Sequence, residues 1–377
     1  MHTSFTMDAN SEFRWLHNGQ LALAEMLAAI EAAQHSIRLE MYIISAGPTA
    51  ERFRQAMVRA CQRGVKTRVL ADGLGSFGLA DSYWDRLRDF GGEFRWFNPV
   101  ALSRLSIRDH RKILVCDDTT AFIGGFNLAG EYEGDGVESG WRDLGMSIRG
   151  PLARQLAEAF DEMFAGANYL HKAFTGLRKS NRQKTVEAPK ARLLLGAPGR
   201  NNPLKLTLRR DLKTGKDIRV MCAYFLPPWR MRRDLARAAR EGGRVRLILP
   251  YKTDVPMSRL AAQSIYRRLL QAGVEIYEYE PQILHAKLFV IDGIVYVGSA
   301  NLDSRSLNSN YELLVRLTDP ELVREGREIF DKDLPRCRKI DFETFRKSRT
   351  LWQRVMGRLA FLLLARIDPY IAMRQFE

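Results

Sequence analysis

Apolar and polar positions along the chain fall into short apolar runs separated by helix-length amphipathic stretches, and the same succession occurs twice. From His35, HSIRLEMYIISAGPTAERFRQAMVRACQRGVKTRVLADG gives an apolar strand, a turn with proline, a helix rich in Arg and Ala, a glycine turn and a second apolar strand. From Lys216, KDIRVMCAYFLPPWRMRRDLARAAREGGRVRLILPY repeats that order. Strand-length runs divided by a helical pattern predict βαβ units with parallel strands. Further helices are predicted over Tyr83–Phe90 and Ser258–Ala272, each followed by an aromatic strand closed by proline, FRWFNP and VEIYEYEP.

The parallel continues downstream. HRKILVCDDTTAFIGGFN from His110 and HAKLFVIDGIVYVGSAN from His285 each predict a β-hairpin. A strand ending at Pro151 or Pro320 follows, then helices over Leu152–Phe164 and Glu321–Lys332. Proline suits the first position of such a helix, where its missing N–H costs nothing. Matching elements in one order mark an internal duplication. The expected fold is α/β: two similar α/β/α lobes, residues 12–176 and 193–340. A basic, aperiodic linker is expected over 177–192 and a separate C-terminal segment over 341–377.

Each half carries His-x-Lys, four residues, then Asp: His110, Lys112, Asp117 and His285, Lys287, Asp292. Side chains two apart on a strand share a face, so each His–Lys pair points at one site. A neutral imidazole can attack phosphorus and an imidazolium can protonate a leaving oxygen. A neighbouring lysine supplies a cation for phosphate oxygens. Gly-Gly-Phe-Asn127 and Gly-Ser-Ala-Asn301 follow, small residues that admit close approach and amides that can donate to the same oxygens. Asp143 and Glu312 stand further on, and a carboxylate bonded to the far ring nitrogen fixes an imidazole's tautomer. Asp117 and Asp292 fall at hairpin turns and read as structural. His2, His17, His35 and His171 read as surface or packing residues.

This pattern, His-x-Lys-x4-Asp trailed by GGxN or GSxN and present twice, resembles the phospholipase D superfamily. LADGLGS, WRDLGMSIRGP, AYFLPP and GSANLDSRSLNSNYEL resemble the bacterial cardiolipin synthases of the short type, over roughly residues 12 to 340. The resemblance implies two lobes meeting at a pseudo-twofold interface that holds one active site, with no metal and no cofactor. It implies double displacement, with His110 as the nucleophile that becomes phosphatidylated and His285 as the acid and base. Lys112, Lys287, Asn127 and Asn301 would hold the non-bridging oxygens, and Asp143 and Glu312 would orient the histidines. The implied reaction moves a phosphatidyl group onto phosphatidylglycerol. A hydrolytic phospholipase D and an endonuclease of the same superfamily stay open as alternatives. A non-enzymatic scaffold would tolerate erosion of the motifs, and both are intact.

Lys and Arg exceed Asp and Glu by 15 charges in 377 residues, which favours polyanionic partners, nucleic acid or an anionic membrane. The four scattered cysteines form no metal-ligand spacing and read as reduced thiols. No signal peptide is expected, and no stretch approaches the roughly 18 to 20 apolar residues of a span. From Arg338 onward nine basic residues stand against four acidic ones. There LWQRVMGRLAFLLLAR aligns Trp352, Val355, Met356, Leu359, Leu362 and Leu363 on one helical face. A basic amphipathic helix of this kind lies in a membrane interface or packs on its own domain. The combined expectation is a peripheral enzyme on the cytoplasmic side of a bacterial inner membrane. Its partners would be phospholipids and an anionic surface, not nucleic acid.

Overall fold

The computed structural model describes residues 11–99, 107–167, 185–199 and 201–367. The first sheet has strands β1 (Glu12–Leu16), β2 (Ser36–Met41), β3 (Lys66–Asp72), β4 (Glu93–Phe97), β5 (Ile113–Cys116), β6 (Thr120–Gly124) and β7 (Gly145–Arg149). Their order is β1-β7-β6-β5-β2-β3-β4. In the second lobe come β8 (Thr185–Ala188), β9 (Ala191–Gly196), β10 (Asp217–Met221), the short β11 (Phe225–Leu226), β12 (Arg244–Pro250) and β13 (Glu275–Tyr279). After these follow β14 (Leu288–Ile291), β15 (Ile294–Gly298), the short β16 (Leu302–Asp303), β17 (Glu312–Leu317) and β18 (Cys337–Lys339). The second sheet runs β18-β13-β12-β10-β14-β15-β17-β9-β8. Without its edge strands β8 and β18, this is the first sheet's order, element for element. In both, three strands are parallel and the hairpin strand pairs antiparallel to the central one.

Helices correspond as well. α1 (Gly19–Ala32), α2 (Pro48–Gln62), α3 (Asp85–Asp89) and α4 (Pro151–Gly166) match α5 (Pro203–Thr214), α6 (Trp229–Arg240), α7 (Pro256–Leu270) and, beyond the five-residue α8 (Ser304–Asn308), α9 (Pro320–Asp333). Pro151 and Pro320 open α4 and α9, as their lack of an N–H suits. One buried cluster joins the sheets: Ile113, Ile123, Met146 and Leu156 of the first lobe pack with Val290, Val297, Val315 and Phe330 of the second. The lobes therefore share a core.

Two expectations need correction. Residues 177–184 of the expected linker lie outside the described residues, but Thr185–Ala188 form β8, paired with β9 through Val186 and Leu193. Its alternation leaves Thr185 and Glu187 exposed while Val186 and Ala188 pack on the shared core, so the second lobe begins before residue 193. The helix expected over Tyr83–Phe90 is a 3-10 turn at Asp81–Trp84 running into the single-turn α3.

The C-terminal segment docks. α10 (Phe342–Ser348) and α11 (Leu351–Leu362) pack on α7. Gly357 and Ala360 are buried there, Gly357 because a side chain would meet the Leu260 carbonyl at 2.9 Å. Trp352, Val355, Leu359, Leu362 and Leu363 face outward, Trp352 being 70% exposed. The helix thus docks through Gly357, Ala360 and Phe361 and turns most of its large apolar residues to the surroundings. Among the described residues no helix is long and apolar enough to cross a membrane.

Candidate active site

Asp117 and Asp292 occupy left-handed turn positions, φ +54° and +48°, where Asp is tolerated. Asp117 accepts the backbone N–H groups of Gln34, His35 and Ser36 at 2.7 to 2.9 Å. Asp292 accepts those of Lys216 and Asp217. Each aspartate ties its hairpin to the start of the central strand, as the sequence suggested. The far end of the same hairpin carries the His-x-Lys pair. His17 and His35 are exposed, while His2 and His171 lie outside the described residues.

His110 and Lys112 lie in the extended segment entering β5, His285 and Lys287 in the one entering β14. Each segment is pinned by the opposite lobe. The His110 N–H donates to the Tyr311 carbonyl (3.0 Å), and the His285 N–H to the Arg142 carbonyl (2.8 Å). The buried Arg142–Asp333 ion pair (2.7 Å) fastens the same junction. The side chains cross in the same way. His110 Nδ1 bonds Glu312 Oε2 at 3.0 Å, and His285 Nδ1 bonds Asp143 Oδ2 at 2.6 Å. Each lobe's imidazole is held at Nδ1 by the other lobe's carboxylate, which leaves Nε2 as the ring nitrogen away from that carboxylate; in His285 it lies 3.1 Å from Lys287 Nζ.

Both histidines line one cavity of about 380 Å³, together with Asn127 and Asn301. The Asn301 carboxamide oxygen accepts from the Tyr224 N–H (3.3 Å). Asn127 is held at both ends, accepting from the Ile43 N–H (3.1 Å) and donating to the Tyr132 hydroxyl (2.6 Å). Lys112 and Lys287 are buried, 3% and 0% exposed. Each ammonium donates to the carbonyl of its own histidine, and Lys287 Nζ also lies 2.8 Å from His285 Nδ1.

The Gly-Gly and Gly-Ser pairs differ for a reason visible here. A Cβ on Gly125 would fall 2.2 Å from an Asp143 carboxylate oxygen. At the equivalent place Ser299 donates its hydroxyl to Glu312. The short carboxylate needs empty space beside it, and the long one has a donor. Asn310 Nδ2 completes the Glu312 shell at 3.3 Å.

Burial dominates the electrostatics. It lowers His110 to about 4 against the partial opposition of Glu312, so this imidazole is neutral at neutral pH. It lowers His285 too, with Lys287 adding to the effect. Lys112 is brought down to about 7 by burial, and Lys287 moves the same way. Burial pushes Glu312 up, but His110, Lys112 and the Ser299 hydroxyl outweigh it and hold the carboxyl near 2.

Sequence reading missed several lining groups: Tyr42, Tyr132, Trp141, Tyr224 and Asp254. Tyr42 stands edge-on to His110 with centroids 4.8 Å apart, and Trp141 is tilted on His285 at 5.5 Å. The Tyr224 hydroxyl donates to Asp254 at 2.7 Å. Tyr42, Tyr224 and Asp254 lie just beyond the carboxyl ends of the parallel strands β2, β10 and β12, where open α/β sheets form their crevices. That rule could have found them.

A duplicated α/β/α fold with two histidines in one crevice, each bound crosswise to a carboxylate, defines the phospholipase D class of phosphodiester enzymes. Comparison with known proteins agrees. The family described as "Cardiolipin synthase, PLD-like domain" matches residues 26–164 and 208–334, and this chain belongs to it. A cardiolipin synthase of Geobacillus sp. (strain WCH70) is 32% identical over 94% of this chain and 72% of that protein. One from Alkalihalophilus pseudofirmus is 31% identical over the same shares. Among solved structures, phosphatidylserine synthase of Haemophilus influenzae Rd KW20 superposes with a TM-score of 0.77 at 16% identity, covering 96% of this chain and 95% of that one. At that identity the likeness establishes the fold.

Proposed function

We propose that this enzyme makes cardiolipin, moving a phosphatidyl group from one phosphatidylglycerol to the free hydroxyl of another and releasing glycerol. The observation that carries the reading is the pair of imidazoles in one cavity, each with Nδ1 bound to a carboxylate of the opposite lobe. His110, neutral at physiological pH, attacks phosphorus through Nε2. The bond to the leaving glycerol breaks, and that oxygen takes a proton from His285. The bound phosphodiester's negative charge favours the imidazolium that this step needs. His285 then takes the acceptor's hydroxyl proton, the new oxygen attacks phosphorus, and the P–N bond breaks to free His110. Lys112, Lys287, Asn127 and Asn301 are assigned to the non-bridging oxygens, Asp143 and Glu312 to holding the rings.

The outward apolar face of α11 suits a peripheral position on an anionic bilayer. The test is incubation with phosphatidylglycerol vesicles and resolution of the lipid products. Cardiolipin with an equivalent of glycerol is the expected result. Phosphatidic acid in its place would make the enzyme a hydrolase, because only the acceptor differs. Lipid inertness with DNA cleavage would make it a nuclease.

A further inference from the structure

The second lobe carries a depression that the transfer chemistry leaves unused. It lies between α6, α7 and α11, encloses roughly 740 Å³, and is lined by Trp229, Arg232, Ile265, Arg267, Arg268 and Arg358. Phe361 forms part of its wall, with the Arg232 guanidinium 4.8 Å above its ring. A second hollow along the same α6–α7 seam shares Trp229, Arg232 and Arg268 and adds Arg233, stacked 4.8 Å over the Trp229 ring. No Asp or Glu lines either hollow among the described residues.

Several exposed guanidiniums elsewhere on this lobe are matched by carboxylates. Arg324 pairs with Glu321 and Glu328, Arg346 with Glu343, and Arg338 with Glu278. Arg267, Arg268 and Arg358 have no carboxylate partner among the described residues. Three unmatched cations facing one depression repel each other unless an anion joins them. The rim states which kind of anion. Trp229, 56% exposed, and the outward Leu362 of α11 line the groove beside the cations with bare apolar surface. Guanidiniums beneath an apolar, tryptophan-bearing rim match a phosphodiester headgroup whose acyl chains remain in a bilayer.

We infer that this groove binds the headgroup of an anionic phospholipid at a site separate from the catalytic cavity. Its placement gives it a purpose. Ser258 of α7 lines the catalytic cavity and Ile265 lines the groove, about 10 Å apart along one helix. α11 spans the same interval, with Arg358 and Phe361 at the groove, while Leu364 just beyond it lines the cavity. A headgroup held here sets the catalytic mouth against the lipid surface.

The test uses the full chain with His110→Ala, so its outcome does not depend on turnover. Co-sedimentation is measured with phosphatidylcholine vesicles with and without phosphatidylglycerol. Arg267→Glu/Arg268→Glu is expected to lose roughly tenfold or more of the binding that phosphatidylglycerol adds. Binding to pure phosphatidylcholine should be unchanged, which also reports that the variant is folded. The matched reversal Lys66→Glu/Arg86→Glu on the first lobe should cost at most about twofold. Equal losses from the two reversals would reduce the effect to net charge and overturn the site. So would parental binding by the groove variant. Tight single-stranded DNA binding that the groove variant abolishes would reassign the face to nucleic acid.

Discussion

The Asp143 carboxylate of the first lobe lies 2.6 Å from Nδ1 of His285 in the second, 142 residues away along the chain. A neutral amide in its place would hold the ring by its carbonyl but could not balance an imidazolium. Asp143→Asn should therefore lower kcat by about 10³- to 10⁴-fold. An unchanged circular dichroism spectrum would show that the fold survives. A loss under tenfold would remove Asp143 from the chemistry.

The two histidines should fail differently. With a p-nitrophenyl phosphodiester the leaving group needs no proton. His285→Ala should then release about one equivalent of nitrophenolate and stall with a covalent adduct visible by intact mass. His110→Ala should give neither burst nor adduct. The reverse pattern would exchange the two roles.

The pH profile follows from burial. The kcat/KM profile reports free-enzyme groups, so its acid limb should sit near pH 4, where His110 gains a proton, and not near the ordinary histidine value of about 6.5. Its basic limb should fall near pH 7 as Lys112 loses its charge. Stability carries the same signature. A histidine held neutral when folded takes up its proton more readily when unfolded. Its stabilising share is whole above about pH 6.5 and is lost as pH falls toward 4. Denaturation midpoints measured across that window should drop with each step in acidity.

Gly125→Ala and Ser299→Ala probe the asymmetry beside the carboxylates. The alanine methyl at 125 would overlap Asp143 and push it from His285, so kcat should fall by 10²-fold or more. Ser299→Ala removes one donor to Glu312 and should cost about ten- to a hundredfold. Steady-state kinetics on both variants would check the order.

Membrane attachment by α11 is better tested by point changes than by truncation, because ending the chain near Thr350 would uncover the α7 surface that Gly357 and Ala360 cover. Trp352→Ala with Leu359→Glu should preserve the melting temperature and weaken binding to neutral and anionic vesicles alike. Unaltered vesicle binding would detach this helix from the membrane role.

Much of this was legible in the sequence, for local reasons. His-x-Lys spacing, the turn aspartates and the βαβ succession are short-range features, and a duplication shows each of them twice. The crossing of Asp143 to His285 and Glu312 to His110 was hidden because separations of 142 and 202 residues are settled only when two sheets share a core. Strand periodicity placed the lysines beside the histidines facing one site. Both ammonium groups are buried, each donating to the backbone carbonyl of the histidine two residues away. α11 was readable as amphipathic, but which face would dock turned on Gly357 and Ala360, whose small size permits close helix approach.

The crossed His110–Glu312 and His285–Asp143 pairs make each half of this chain depend on the other, and the Asp143–Gly125 and Glu312–Ser299 pairings make the two halves non-interchangeable. Neither half on its own would hold a properly oriented imidazole, so severing the chain between them should yield inert fragments that regain turnover only on re-association. Transplanting Glu into position 143 would likewise demand rebuilding its whole neighbourhood. Whatever ancestral symmetry gave rise to the repeat, descent has since proceeded by changes matched within each half, Gly125 beside Asp143 in one and Ser299 beside Glu312 in the other.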